Sequence, residues 1–169
     1  MSQSARIVIA LLVLVVLVGA VLGIDALRRR GSSTPATGDQ ATLAPGSIPI
    51  HVDGRLVGSF SPGDLEGLEQ VSFIDAEEGK TQEGWLLRDV LRLHVDADAL
   101  TPDTRITVSS SSREKSAQLT WAEVSDPANK VMFDLSGRGT LKLVSVLERL
   151  DVRDEWVQDV DRIQVDGRR

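Results

Sequence analysis

The stretch IPIHVDGRLVGSF, residues 48–60, carries the clearest local structural signal in the sequence. Apolar and polar side chains alternate on both sides of Asp53 and Gly54, and an Asp-Gly pair supplies the positive φ angles of a tight hairpin turn. We therefore predict an opening β-hairpin. Ser61 and Pro62 come next and suit an N-cap and a first helical residue, so a short helix is expected to follow.

The rest of this region predicts strands with little helix. Residues 85–94 repeat leucine and valine at helical spacing opposite arginine and aspartate, which predicts an amphipathic helix that begins at Trp85. A polar loop is predicted before it, and Thr120 and Glu123 have the spacing of a capping box. The predicted strands are residues 71–74, 105–110, 117–119, 130–135, 141–146 and 160–165, and the predicted loop is residues 75–84. Together they predict a strand-rich, mixed α+β domain over residues 47–169.

Composition excludes several kinds of function. The chain has a formal net charge of −6, and the part from residue 40 onward carries −8. Such a surface repels phosphate backbones, so we predict no nucleic-acid partner. The absence of cysteine removes disulfides, thiolate nucleophiles and thiolate metal ligands. With three Trp, three Phe and no Tyr, few ring-lined ligand walls can be built.

The N-terminal region predicts a membrane anchor. Residues 7–24 contain no charged side chain and would form a helix about 27 Å long, close to the hydrocarbon thickness of a bilayer. We predict a short tail over residues 1–6 and a transmembrane signal anchor over residues 7–27, in contact with membrane lipid. The alternative is a signal peptide cleaved after Ala20, but the apolar run is longer than the ~7–15 residues usual for such peptides.

The flanking charges bear on topology. Arg28, Arg29 and Arg30 follow the predicted helix and only Arg6 precedes it, which by the positive-inside rule would keep the C-terminal domain in the cytoplasm. The very short N-terminal tail instead fits a signal anchor. We predict a single-pass protein of the cell membrane with an extracytoplasmic C-terminal domain, the opposite orientation being the alternative. Residues 28–46 are predicted to be a basic flank and a flexible linker.

Four segments of the domain follow a recognisable order. They are GWLLRDVL at residues 84–91, LTWAEV at 119–124, GTLKLV at 139–144 and WVQDVDRIQV at 156–165. Across residues 71–165 the chain resembles the sulfite-oxidase-like, molybdopterin-binding domains of bacterial oxidoreductases, and the last segment is the most specific match. The resemblance implies that family's mixed, strand-rich fold behind the transmembrane helix.

The chain departs from that family at the metal. Catalytic members ligate molybdenum with one cysteine thiolate, commonly in a Cys-x-Glu-Gly context, whereas the nearest counterpart here is Ala76-Glu77-Glu78-Gly79. A methyl group at Ala76 cannot donate electron density to a metal. The basic residues that usually hold the cofactor's phosphate also lack clear equivalents. The resemblance therefore implies a cofactor-free descendant, and molybdopterin enters as a possible cofactor by resemblance only.

Two groups of side chains are candidate binding residues. Carboxylates of the loop after residue 74 could bind a divalent cation or a basic partner, although a solvated loop is the simpler explanation. Three tryptophans could line a recess into which Arg162 points, or could close a small core. The acidic group is Asp75, Glu77, Glu78 and Glu83, and the tryptophans are Trp85, Trp121 and Trp156. From these we select Asp75, Glu77, Glu78, Trp85 and Arg162 as predicted ligand-binding residues.

Two further features carry weaker signals. His51 and His94 have no metal-ligand spacing between them, so ordinary surface histidines are expected, with His94 at a helix C-terminus. The serines of residues 109–112, followed by basic residues, could cradle an anion but lack the glycines of a phosphate-binding loop. No catalytic or metal residue is predicted.

These observations predict a membrane-anchored, non-catalytic binding or interaction module with an unidentified small-molecule ligand and a possible membrane-protein partner. One alternative is a divergent molybdopterin-dependent oxidoreductase that passes electrons to a membrane partner. Another is a structural subunit of a membrane complex.

Overall fold

The opening hairpin forms as the sequence predicts. In the computed structural model, strands β1 (Ile48–Val52) and β2 (Arg55–Phe60) pair antiparallel. Asp53 and Gly54 between them have φ angles of 49° and 80°, as a tight hairpin turn requires. The short helix that follows is a 3-10 helix, Pro62–Leu65.

The structure describes residues 43–167. The predicted N-terminal tail, transmembrane helix, basic flank and most of the predicted linker therefore lie outside the described residues. Between residues 43 and 167, no helix combines the length and the apolar character needed to cross a membrane.

Nine strands form two sheets. The strands after the hairpin are β3 (Gln70–Ile74), β4 (Thr81–Leu86), β5 (Arg105–Ser110), β6 (Lys115–Thr120), β7 (Met132–Leu135), β8 (Leu141–Val144) and β9 (Arg162–Asp166). One sheet has the order β2-β1-β9-β5-β6 and the other β3-β4-β7-β8. Only the β1–β9 pairing is parallel among these strands of the described part of the chain. The predicted strand-rich, mixed α+β class is confirmed.

Helices are few and short within residues 43–167. The α-helices are α1 (Leu87–Arg92) and α2 (Trp121–Ser125), and the remaining 3-10 helices are Ala97–Ala99, Pro127–Asn129, Glu148–Leu150 and Arg153–Glu155. The predicted capping box forms at the start of α2. Thr120 Oγ1 accepts from the Glu123 amide at 3.3 Å, and the Thr120 amide donates to the Glu123 carboxylate at 2.7 Å.

The second sheet contributes to buried clusters on both faces. Phe133 and Leu143 belong to the main core, whereas their neighbours Met132 and Val144 belong to a second cluster with Leu86 and Trp156. This division follows from the pleat, since successive side chains of a strand point to opposite faces. Along the face of the second cluster the sheet becomes polar towards its end, at Gln82, Asp134 and Lys142.

The predicted polar loop and helix start were wrong at β4. This strand begins inside predicted loop 75–84 and ends at Leu86, so Trp85 lies on a strand and the helix begins at Leu87. Pairing with strands on both sides explains the difference, because Gly84 approaches β7 so closely that an added Cβ would lie 1.8 Å from the Phe133 carbonyl oxygen. Tertiary pairing here overrides the helical pattern that begins at Leu86.

Candidate functional site

A cleft of about 340 Å³ opens where three connecting segments meet beside the second sheet. These are the turn between β3 and β4, the turn between β7 and β8, and residues 153–158. The cleft is lined by Glu78, Lys80, Gln82, Ser136, Gly137, Arg138, Lys142, Arg153, Trp156 and Gln158. Four of these ten residues are cationic and one is anionic, so the cleft is positively charged.

Lys142 is the most firmly held of these cations. It projects from β8, and its side chain is 21% exposed. Its Nζ donates to Gln82 Oε1 at 2.7 Å and lies 3.2 Å from the Asp134 carboxylate. The same ammonium lies 5.1 Å from the centroid of the Trp156 ring, a cation–π distance. Three partners therefore hold one positive charge within the cleft.

Glu78 lies between two more exposed cations. Its carboxylate accepts from Lys80 Nζ at 2.7 Å and from Arg153 Nη1 at 3.0 Å. The hydrogen bonds from Lys80 and then Arg153 lower the pKa of Glu78. The neighbouring Glu77 carboxylate accepts from the Arg153 amide at 3.0 Å, so the β3–β4 turn is joined to a segment 75 residues further along the chain.

Asp75 shapes this turn from within. Its side chain is buried, and its carboxylate accepts from the Glu78 amide at 2.6 Å and from Gln82 Nε2 at 2.9 Å. The Glu78 amide is the main cause of a lowered pKa at Asp75. Gly79 completes the turn with a φ of 65°. Asp75 thus holds Glu78 and Gln82 at the cleft and is not itself among its lining residues.

A second recess of about 220 Å³ continues the cleft. It shares Arg153, Trp156 and Gln158 with the first and adds Arg113, Lys115 and Asp154. Lys115 Nζ donates to the backbone carbonyl of a residue in the same recess, Asp154. The two recesses share three lining residues, and together they are called the groove; six cations and the two carboxylates of Glu78 and Asp154 line it.

Asp159 organises two arginines at this groove. Its carboxylate accepts from Arg113 at 2.6 Å, from Arg138 at 3.2 Å and from the Thr140 hydroxyl at 2.7 Å. The Thr140 hydrogen bond, followed by that from Arg113, lowers the pKa of Asp159 to about 2. The carboxylate therefore stays ionised at neutral pH and fixes the direction of both guanidinium groups.

The concentration of positive charge contrasts with the rest of the domain. Residues 43–167 contain 13 basic and 23 acidic side chains, a net charge of −10. Six of those 13 basic side chains line the groove: Lys80, Arg113, Lys115, Arg138, Lys142 and Arg153. A concave surface with an excess of positive charge focuses its field, so the groove attracts anions although the domain as a whole repels them.

The structure brings only part of the predicted binding set to the groove. Glu78 lines it, Glu77 binds the backbone of a lining residue, and Asp75 supports the turn below. Trp85 is buried in the main core, where its Nε1 has no hydrogen-bond partner within residues 43–167. Arg162 lines a different cavity of about 550 Å³ with the serines of the β5–β6 hairpin.

The remaining candidate residues are two tryptophans and two histidines. Trp121 belongs to the main core, and of the three tryptophans only Trp156 lines the groove. His94 follows α1 as predicted and stacks on Phe60 with ring centroids 6.2 Å apart. Neither His94 nor His51 lines the groove. Among the described residues, no group of three His, Asp or Glu side chains is placed to hold a metal ion.

Sequence reasoning missed the cations that define the site. Lys80, Arg138, Lys142 and Arg153 come from segments up to 73 residues apart and share no motif. One local feature of the sequence could have indicated part of the site. Arg138 and Lys142 flank the turn at Gly139, and basic side chains near one turn tend to lie at the same edge of a sheet. No protein-family model matches the chain, and no curated protein matches its sequence.

Proposed function

We propose that this chain is a membrane-anchored, non-catalytic binding module whose ligand occupies the cleft between the β3–β4 turn, the β7–β8 turn and residues 153–158. We further propose that the domain is a divergent relative of the sulfite-oxidase-like, molybdopterin-binding domains. The sequence segments quoted above support that relationship, and a strand-rich, mixed α+β domain is compatible with it. The observation that carries the binding function is the positively charged cleft itself.

The donor groups of the cleft do not fit a protein-held molybdenum centre. In the sulfite-oxidase-like family a soft cysteine thiolate ligates the molybdenum, and this chain contains no cysteine. The lining groups are ammonium, guanidinium, amide, hydroxyl and indole groups, and the one carboxylate, Glu78, is held by two cations. Positive side chains attract anions and disfavour a bound metal cation.

The residues that line the cleft favour ligand binding over catalysis. Neither histidine nor cysteine lines the cleft, and the Ser136 hydroxyl is engaged in its own turn with Thr140 Oγ1 at 2.7 Å. A hydroxyl becomes an effective nucleophile when a base within hydrogen-bond reach takes its proton. The cleft offers fixed charge and hydrogen-bond donors, which are the means of orienting a ligand.

Mass and elemental analysis test the binding function. The full chain is purified in detergent from a bacterial host that makes molybdopterin, and intact-mass and metal analyses are made under native conditions. We expect molybdenum far below one atom per chain, and a small molecule that is retained by the unaltered chain and lost from Arg153→Gln. Arg105→Gln is the matched control, since Arg105 forms no ion pair within residues 43–167. One molybdenum per chain with oxidoreductase turnover would overturn the proposal.

The anchor is tested separately. We propose that residues 7–27 span the cell membrane once and leave the domain on the extracytoplasmic side. The full chain should then sediment with membranes and resist alkaline extraction, whereas a variant without residues 7–27 should not. N-terminal sequencing of the mature protein tests cleavage after Ala20, and a reporter fused to the C-terminus reports its side of the membrane. A free domain that starts at residue 21 would show that the segment is a signal peptide.

A further inference from the structure

We propose that the ligand of the cleft is a small phosphate-bearing molecule, and that Glu78 is a built-in competitor that occupies part of its site until the ligand displaces it. This inference rests on the proposed binding function and adds the ligand class. It is carried by the position of Glu78 between Lys80 and Arg153 and by the excess of positive charge around that pair.

The charge balance favours a dianion. The ten residues that line the cleft include four cations, Lys80, Arg138, Lys142 and Arg153, and one anion, Glu78. Asp134 and Asp159 pair with Lys142 and Arg138 from outside the lining, and Asp75 and Glu77 belong to the same turn as Glu78. Displacement of Glu78 leaves Lys80 and Arg153 without their carboxylate partner, so two positive charges face the vacated position. A carboxylate would neutralise one of these two charges, whereas a phosphate monoester carries about −1.5 to −2 charges at neutral pH and neutralises nearly all of both. Arginine is also well suited to bind phosphate oxygens in pairs.

Glu78 shows which atoms of the cleft receive an oxyanion. Its carboxylate oxygens lie 2.7 Å from Lys80 Nζ and 3.0 Å from Arg153 Nη1, the distances of charge-assisted hydrogen bonds. These two donors therefore already hold an oxyanion. The side chains of Lys80, Arg153 and Glu78 are 66%, 54% and 35% exposed. Exposed pairs of this kind contribute little to stability, so a ligand can open them readily.

The remaining contacts would hold the ligand in place. Lys142 is immobilised by Gln82, Asp134 and Trp156, so one cation is oriented before binding. Arg138, 63% exposed, lines the cleft from the β7–β8 turn. A cleft of about 340 Å³ is near the lower limit of small-molecule sites, which suits a compact phosphate monoester.

Competition by Glu78 makes an unusual prediction for mutagenesis. Replacing an acidic residue that only stabilises a binding site should leave affinity unchanged or weaken it. Glu78→Gln instead removes the competing charge and frees Lys80 and Arg153, so it should tighten phosphate binding. Arg153→Gln removes a ligand donor and should weaken it.

Calorimetric titration of the full chain in detergent measures both effects. The probes are glycerol 1-phosphate, dihexanoyl phosphatidic acid and acetate at equal ionic strength. We expect Glu78→Gln to bind a phosphate probe about 5–10-fold more tightly and Arg153→Gln about 10-fold more weakly than the unaltered chain, with acetate at least about 10-fold weaker than phosphate throughout. Glu155→Gln is the matched control. Glu155 is an exposed acidic residue on the same 3-10 helix as Arg153, and its side chain forms no hydrogen bond or ion pair within residues 43–167. The substitution should change affinity less than about twofold.

Each outcome decides the inference. Binding of glycerol 1-phosphate identifies a soluble phosphate ester as the source, and binding of dihexanoyl phosphatidic acid alone identifies a lipid headgroup; both support a phosphate site. Equal binding of acetate, or a Glu78→Gln affinity equal to or below that of Glu155→Gln, overturns it. If a different retained molecule is lost from Arg153→Gln while phosphate does not bind, this inference fails and the proposed binding function stands. Circular dichroism confirms that each variant is folded, and Lys80→Met provides a second weakening variant.

Discussion

Asp159→Asn tests whether one carboxylate stabilises the junction of three chain segments. Asp159 receives hydrogen bonds from Arg113 on the β5–β6 turn and from Arg138 and Thr140 on the β7–β8 turn. Asparagine is nearly the same size and tolerates the left-handed conformation of this position, where φ is 53°. The substitution therefore removes the charge and leaves the backbone preference in place.

The expected loss is roughly 1–2 kcal/mol at pH 7. Lowering the pKa of Asp159 from 3.8 to about 2 corresponds to at most about 2.4 kcal/mol of stabilisation. Because the side chains of Arg113 and Arg138 are 44% and 63% exposed, solvent screening reduces this contribution. A loss of this size should lower the melting temperature by roughly 4–8 °C for a domain of this length.

The pH dependence provides an internal check. A depressed folded-state pKa contributes stability that is fully present above the unfolded value of 3.8 and is lost as pH falls towards about 2. The stability difference between the unaltered chain and Asp159→Asn should therefore be constant from pH 5 to 7 and shrink between pH 4 and 2.

Urea unfolding followed by circular dichroism at several pH values measures this difference. Glu155→Gln serves as the control for net charge and should cost less than about 0.5 kcal/mol. A loss below about 0.3 kcal/mol for Asp159→Asn at pH 7, or a loss that stays constant down to pH 2.5, would refute the assignment of Asp159 as a stabilising junction.

Two further substitutions test the second sheet by the same unfolding assay. Gly84→Ala places a Cβ 1.8 Å from the Phe133 carbonyl oxygen and should lower the free energy of unfolding by at least about 3 kcal/mol. The control Gly137→Ala, with no atom within 4 Å of the added carbon, should lower it by less than about 0.5 kcal/mol. Similar losses for the two variants would contradict the close approach of β4 and β7. Trp156→Phe leaves the buried Leu150 carbonyl without the indole N–H that donates to it at 3.0 Å, and should cost about 2 kcal/mol; a loss below about 0.5 kcal/mol would show that this bond contributes little.

The sequence predicted the fold best where local chemistry determines the conformation. The Asp53-Gly54 turn and the Thr120 capping box depend on residues within a few positions of one another, and both form as predicted. Strands with regular apolar alternation, such as β5, are also found near their predicted limits. In these segments the preference of each short stretch agrees with its tertiary surroundings.

Strand β4 shows why prediction failed elsewhere. Its inward positions at one end are Gln82 and Gly84, neither of which contributes to an apolar pattern. Gln82 is buried because Asp75 and Lys142 satisfy its amide, and Gly84 is buried because only glycine permits the approach of β7. The alternation of the strand is therefore encoded by partners distant in sequence, which a hydrophobic pattern does not record.

The groove could not be predicted for a related reason. Its cations come from three turns and the strand ends beside them and from the 3-10 helix Arg153–Glu155, and their separation along the chain conceals their common position. The net charge did not reveal the groove either, since a value of −10 for residues 43–167 conceals a local excess of positive charge. An average over the surface describes long-range repulsion, whereas the field inside a recess depends on the few charges that line it.

The β3–β4 turn connects the proposed ancestry with the proposed ligand. In the sulfite-oxidase-like domains that the sequence resembles, a cysteine thiolate is a soft, negatively charged ligand for a metal; the nearest counterpart here, Ala76, supplies none, and Glu78 two residues later is bound by Lys80 and Arg153. On the relationship proposed above, the turn has changed from supplying negative charge to a metal to supporting cations that bind negative charge. The phosphate affinity of Glu78→Gln distinguishes this change of role from simple loss of a metal site. If the turn had only lost its metal ligand, removing the Glu78 charge would not be expected to tighten phosphate binding.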